Sequence, residues 1–286
     1  MKNQHSNHLI QLTLATLFVS TSGALGKFID MPTPIIIWWR SALGGLFLLA
    51  FIMYKKYNHK IHSKKDFTTI FISAILLGSH WITYFYALKL TNVAIGMLSL
   101  FVYPIITALL EPLFIKVKFD PVYIILGLMV LLGIYILAPE FNLESTYMQG
   151  ILLGLLSASL YSLRLILSKK LTAVYNGTSI MFYQIAVLAI MLAPILFFMD
   201  TSAISTQFPY VLTLALLTTA IGHTMLVNSL KHFTVSTASI ISSSQPIFGI
   251  IIAFFFLNEI PTLNTFLGGS LILATVIIES VRSRNT

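Results

Sequence analysis

The chain has 286 residues, of which 57% are hydrophobic and only 9% charged, with a mean hydropathy of +0.90. A soluble protein of this length carries about 25% charged residues, so this surface cannot be covered against water and its natural solvent is lipid. A net charge of +8 raises nucleic acid as a partner and the absence of cysteine excludes disulfides, thiolate metal sites and a cysteine nucleophile; the placement of the charges, given below, excludes nucleic acid as well.

The N-terminal "MKNQHSNH" is polar and runs straight into a full-length apolar stretch. It lacks the short apolar region and small-residue cleavage site of a removed leader, so the first stretch is expected to be retained. A bilayer core of about 30 Å needs about 20 mostly apolar residues in a helix. Ten stretches qualify in chain order: 9–28, 34–53, 67–88, 93–115, 121–138, 148–168, 179–199, 209–230, 235–257 and 262–280. The connections are short, "DMPTP", "VKFDP", "PEFNLEST", "YNGTS" and "NEIPT" among them, and only "YKKYNHKIHSKKD" at 54–66 is longer. The apolar runs are continuous rather than alternating, which disfavours a pore-free β-barrel. The expected fold is an all-α integral membrane protein with ten transmembrane helices.

Lys and Arg set the orientation. With the N-terminus inside, 13 of the 17 fall in inside segments: Lys2, five between stretches two and three, Lys116, Lys118, Lys169, Lys170, Lys231, Arg282 and Arg284. Only Lys27 and Lys89 fall outside, and Arg40 and Arg164 lie within stretches. Both termini are expected to be cytoplasmic. The positive charge is a topology signal.

The chain also repeats itself. "ALKLTNVAIG" at 87–96 returns as "SLKHFTVSTA" at 229–238, with Pro104 and Pro246 following at the same offset of 142. Lys27 matches Lys169, Gly127 matches Gly269, and Arg40 falls on Gln184 after a two-residue slip. Each unit, 1–142 and 143–286, then holds five stretches. Five is odd, so the second unit enters the membrane from the opposite side. Such inverted repeats are shared by many secondary transporters, because two similar halves supply two states of nearly equal energy, one open to each side.

These residues, together with "FFFLNE" ending at Glu259, resemble the EamA family of the drug/metabolite transporter superfamily across essentially the whole chain. The resemblance implies an inner (plasma) membrane carrier with a central cavity lined by stretches one, three, four, six, eight and nine. It also implies export of amino acids or related metabolites. The family often has Glu about thirteen residues after the proline of each half; this chain has Glu259 in the second half and Val117 in the first.

Polar side chains within membrane stretches are costly and face the interior or water. In stretch three, His80 and Tyr84 lie one turn apart beside Trp81; the counterpart stretch eight has His223 and Asn228. A buried imidazole with an aromatic face suits an organic zwitterion or cation, or a hydrogen-bonded structural role. Ser99, Tyr103 and Thr107 share a face of stretch four, and stretch nine answers with "SSSQP", including Ser243 and Gln245. Pro104 and Pro246 break their helices and free a backbone carbonyl at matched places. Ser157, Tyr161, Arg164 and Ser168 share a face of stretch six, with Arg164 expected to snorkel toward headgroups. Glu111, near Lys116, is the one carboxylate well inside a stretch and the candidate for proton coupling. Substrate-binding candidates are therefore His80, Trp81, Tyr84, Ser99, Tyr103, Tyr161, His223, Asn228, Ser243 and Gln245.

No H-E-x-x-H, G-x-S-x-G or Walker sequence is present, so no catalytic residue, metal or cofactor is expected and ATP-driven pumping by this chain is excluded. The leading expectation is a secondary transporter for a small organic solute, with the lipid bilayer as its other partner and no nucleic acid. The alternative is an integral-membrane enzyme using His80 or His223 with a serine from 242–244. An inverted repeat offers such an enzyme little.

Overall fold

The computed structural model describes residues 2–58, 60–114, 121–137 and 142–283. Lys116, Val117, Lys118 and Arg284 lie outside them. The described residues form helices and connecting turns, with no strand. In chain order these are α1 (Lys2–Phe28), α2 (Thr33–Lys55), α3 (Lys64–Leu90), α4 (Val93–Leu100), α5 (Tyr103–Phe114), α6 (Val122–Leu137), α7 (Thr146–Leu171) and α8 (Gly177–Leu192). A 3₁₀ turn (Ala193–Phe197) closes α8. There follow α9 (Ile204–Thr213), a π-helical segment (Leu214–His223), α10 (Thr224–Ser229), α11 (Val235–Ser242), α12 (Gln245–Leu257) and α13 (Leu263–Ser283).

Lipid cannot hydrogen-bond a backbone, so apolar runs of this length become helices. Their starts are capped by side chains that accept orphan N–H groups. Ser63 accepts from Asp66, Asn92 from Ile95, Ser145 from Met148 and Asn176 from Thr178, at 2.8–3.1 Å. Asn258 ends α12 in the left-handed conformation at φ 57°, one of the few side chains that tolerates it.

Seven helical stretches are long and apolar enough to cross a membrane, from Asn7–Phe28 through Ile204–Ser229. Val122–Leu137, Gln245–Leu257 and Leu263–Thr275 are shorter apolar helices. Two expected stretches are broken rather than continuous. The fourth divides at Phe101 and Val102, just before Tyr103 and Pro104, and the ninth at Ser243 and Ser244, just before Gln245 and Pro246. Proline cannot donate its N–H and pushes the preceding residues off the α conformation, which places each break on its N-terminal side. The outer surface carries Leu46, Met53, Ile125, Leu128, Leu131, Phe255 and Phe266, all well exposed. So large an apolar surface would aggregate in water and is solvated by lipid tails. This is a multi-pass membrane protein.

The packing joins the first 142 residues to the rest. α3 lies along α7, α2 along α8 and α6 along α13; α1 packs on the π-helical segment and α12, while α4 and α5 pack on α7. Exchange by the 142-residue offset returns α2–α8 and α6–α13 to themselves and carries α5–α7 into α1–α12 and α3–α7 into α1 on the π-helical segment. At the centre, Trp81, Phe85, Phe101, Tyr103, Ile36 and Leu165 belong to one buried apolar cluster.

Candidate functional site

Between the two sets of helices lies a small cavity of about 20 Å³, lined by His80, Trp81 and Tyr84 from α3, Tyr103 from α5, Tyr161 from α7, His223 and Gln245. Val19 and Ser22 of α1 complete the wall with Leu100 and Phe101. That volume admits about one water molecule. Seven of the ten candidate residues thus meet at one place, from stretches far apart in sequence.

His80 is fixed by Ser157 of α7. Its Nδ1 lies 2.7 Å from Ser157 Oγ and 3.2 Å from the Ser157 carbonyl oxygen, which can only accept, so Nδ1 carries a hydrogen. The Ser157 hydroxyl in turn donates to the His80 carbonyl at 2.9 Å. The imidazole stacks on Tyr161 at 4.4 Å between centroids and lies nearly parallel to Tyr84 at 6.2 Å. Tyr161 meets Tyr103 edge-on at 4.9 Å, and the Tyr103 hydroxyl donates to the Ser239 carbonyl at 3.3 Å. His223 ends the π-helical segment, 5.4 Å from Trp81, and its Nδ1 has no hydrogen-bond partner. Wide π turns displace side chains from their α register and occur often at functional sites.

Two arginines stand behind this wall. Arg40 is fully buried, stacked on Trp81 with its guanidinium carbon 3.8 Å from the ring centroid. Its Nε donates to Thr219 Oγ1 at 2.8 Å and one Nη to Thr218 Oγ1 at 3.0 Å; the other Nη has no partner. Arg164 corrects the sequence expectation. It is fully buried rather than snorkelling, because α7 continues to Leu171 and α8 brings an acceptor to it. Gln184 Oε1 accepts from Arg164 Nε at 3.2 Å and from Nη2 at 2.7 Å, and again one Nη is unpartnered. The Gln184 amide donates onward to Ser73 and Ser168.

Three candidates lie elsewhere. Ser99 donates to the Ile95 carbonyl and packs against Gly154 of α7, a close helix contact. Ser243 donates to the Ser239 carbonyl at 2.9 Å within the break between α11 and α12. Asn228 faces a separate, largely apolar cleft of about 400 Å³ beside Phe47, Phe51 and Met225. Glu111 is buried near the end of α5, in the electrostatic field of Lys169 and away from the cavity lining. No group of three His, Asp or Glu side chains among the described residues could hold a metal ion.

The ends of the site hold residues that the sequence matched between the halves without placing them at the site. Lys27 Nζ donates to the carbonyls of Lys89 and Thr91 at 3.2 and 2.8 Å, clamping the turn between α3 and α4. Glu259 interacts with Lys27 and accepts from the Val93 N–H at 2.8 Å, so the second half caps α4 of the first. Lys169 Nζ likewise donates to the carbonyls of Leu230 and Phe233 at 2.6 and 3.0 Å, clamping the turn before α11. The match of Lys27 to Lys169 was the available signal. Glu259 was paired by offset with Val117, whereas the carboxylate acting on Lys169 is Glu111.

A model of the EamA-like transporter family matches residues 8–138 and again 148–281. The pseudopaline exporter CntI of Pseudomonas aeruginosa is 24% identical over 267 residues, 92% of each chain. An S-adenosylmethionine uptake transporter of Rickettsia felis is 33% identical over 114 residues, 40% of this chain and 39% of that one. One crystal structure superposes with a TM-score of 0.73 over 98% of both chains at 18% identity, a likeness of fold.

Proposed function

This chain belongs to the EamA-like transporter family, and from that premise we propose that it is a secondary carrier exporting a small organic solute by alternating access. The solute class is amino acids or related metabolites. Ten spans in two inverted five-helix repeats cross the plasma membrane, with both termini cytoplasmic.

The observation that carries this reading is the small cavity between the halves, with a lysine clamp in each half 142 residues apart. In the inverted arrangement the two clamps sit at opposite faces. Releasing one while holding the other opens the cavity to one side at a time. The main packing pairs, which exchange of the halves carries into one another, supply the second state at little cost. Export is supported by coverage: the relative named as an exporter aligns over 92% of this chain and the one named for uptake over 40%. Transport is facilitated, since Glu111 stands beside Lys169 rather than in the cavity.

The chain is a carrier and not an enzyme. A serine nucleophile needs its O–H directed to an imidazole nitrogen that accepts. Ser157 gives its hydrogen to the His80 carbonyl rather than to the imidazole. Ser243 and Ser244 give theirs to carbonyls of Ser239 and Ile241.

The chain has no cysteine, so single cysteines report access without knowledge of the solute. Ser22→Cys and Gln245→Cys, both in the cavity wall, should react with a membrane-impermeant maleimide from either face in oriented vesicles. Reaction from one face only, for both variants, refutes alternating access.

A further inference from the structure

The cavity is backed by two permanent cations that no carboxylate among the described residues neutralises. Arg40 and Arg164 are fully buried, and their partners are neutral: two threonine hydroxyls, one amide oxygen and a methionine sulfur. No ion pair joins either to a carboxylate among the described residues, and the cavity lining contains no Asp or Glu. Each guanidinium keeps one Nη with an unmade hydrogen bond. A charge buried in low dielectric is costly unless it is paired. Both lie close to the wall: Arg40 stacks on the lining residue Trp81, and Arg164 is one helical turn from the lining residue Tyr161. Both also act electrostatically on His80 and His223.

The two guanidiniums also repel a cation placed in the cavity. An ammonium group is held by a carboxylate or by the face of an aromatic ring. The first is absent from the lining, and Trp81 among its rings already holds Arg40. Resting on the carrier reading above, and narrowing its solute class to the related metabolites that lack an amino group, we propose that the transported solute is an organic monocarboxylate without a free ammonium group. When the cavity widens on opening to one side, the solute carboxylate is held by the field of Arg40 and Arg164, and the solute's apolar body lies among Tyr103, Tyr161 and Trp81.

The test uses three probes of one shape: 3-phenylpropionate, 3-phenylpropionamide and 2-phenylethylamine. Each is titrated at pH 7.5 against thermal unfolding of the purified full chain, since a ligand of the folded state raises Tm by mass action. The carboxylate should stabilise at a concentration at least tenfold below the amide, and the amine should give no shift. Arg40→Gln and Arg164→Gln should each erase the preference for acid over amide. If either variant fails to fold, the three-way comparison on the unaltered chain still decides. Equal response to acid and amide, a preference for the amine, or no response to any probe overturns the proposal. Two-sided labelling of Ser22→Cys is independent of the probes, so the carrier reading stands or falls separately.

Discussion

Gln184 separates the structural from the electrostatic role of Arg164. Its Oε1 takes two hydrogen bonds from the guanidinium, and its amide gives two to Ser73 and Ser168. In Gln184→Leu the guanidinium keeps only the Met181 sulfur, at 3.3 Å, a weak acceptor. Each hydrogen bond to a charged group is worth about 1.5–3 kcal/mol. The two share one acceptor and are not additive, so the loss is about 3–5 kcal/mol, the range for stripping one partner from a buried charge. That corresponds to a fall in Tm on the order of 10 °C. Gln184→Glu keeps the shape and both contacts to Arg164, and the two serine hydroxyls can rotate to donate to it. It should match or exceed the original chain in stability, yet lose the preference for a carboxylate probe, because its own carboxylate now neutralises Arg164. Thermal and denaturant unfolding of both variants in the same detergent measures this. The reasoning is refuted if Gln184→Leu is as stable as the original chain, or if Gln184→Glu falls as far as Gln184→Leu.

Two further outcomes follow from the ends of the site. Glu259→Leu leaves the Val93 N–H without its acceptor and Lys27 without its carboxylate; it should cost about 1 kcal/mol as a lost helix cap and raise maleimide labelling of Ser22→Cys from the Lys27 face, and unchanged labelling there would show that this contact does not hold the cavity shut. In the turn before α11, His232 stacks on His8 at 3.6 Å, and partial burial, then the charges of His8, Lys231 and Lys169, hold its pKa below the ordinary imidazole value. The unfolded chain therefore binds that proton more readily, so the contribution is present above about pH 6.5 and is lost as pH falls toward the lowered value. His232→Asn should flatten the dependence of Tm on pH between about 5 and 7, and an unaltered slope would place the titration elsewhere.

The helices were legible because lipid removes the competition that makes soluble sequences ambiguous. An apolar run without charges has one way to satisfy its backbone in a bilayer, so length alone locates it. The breaks before Pro104 and Pro246 follow from local chemistry for the same reason. The π-helical segment Leu214–His223 was not visible, since its residues are ordinary for a membrane helix and its register is set by packing on α1 and α2.

The site was legible as a set of residues and illegible as a circuit. His80, Tyr103, Tyr161 and His223 stood out because a polar or ionisable group in lipid needs a reason. What Arg164 does depends on Gln184, twenty residues away on a different helix, and no spacing rule reaches that far. Its distance from the helix end suggested snorkelling, a local argument that ignores what a neighbouring helix brings. Arg40 shows the same limit from the other side. The aromatic ring that in sequence resembled a receptor for a cationic solute already holds the protein's own cation. A ring face stacked against a guanidinium cannot also cage an ammonium group. The polarity of the cavity is therefore set by which charges the fold buries beside it, and two buried guanidiniums without a carboxylate favour an anion.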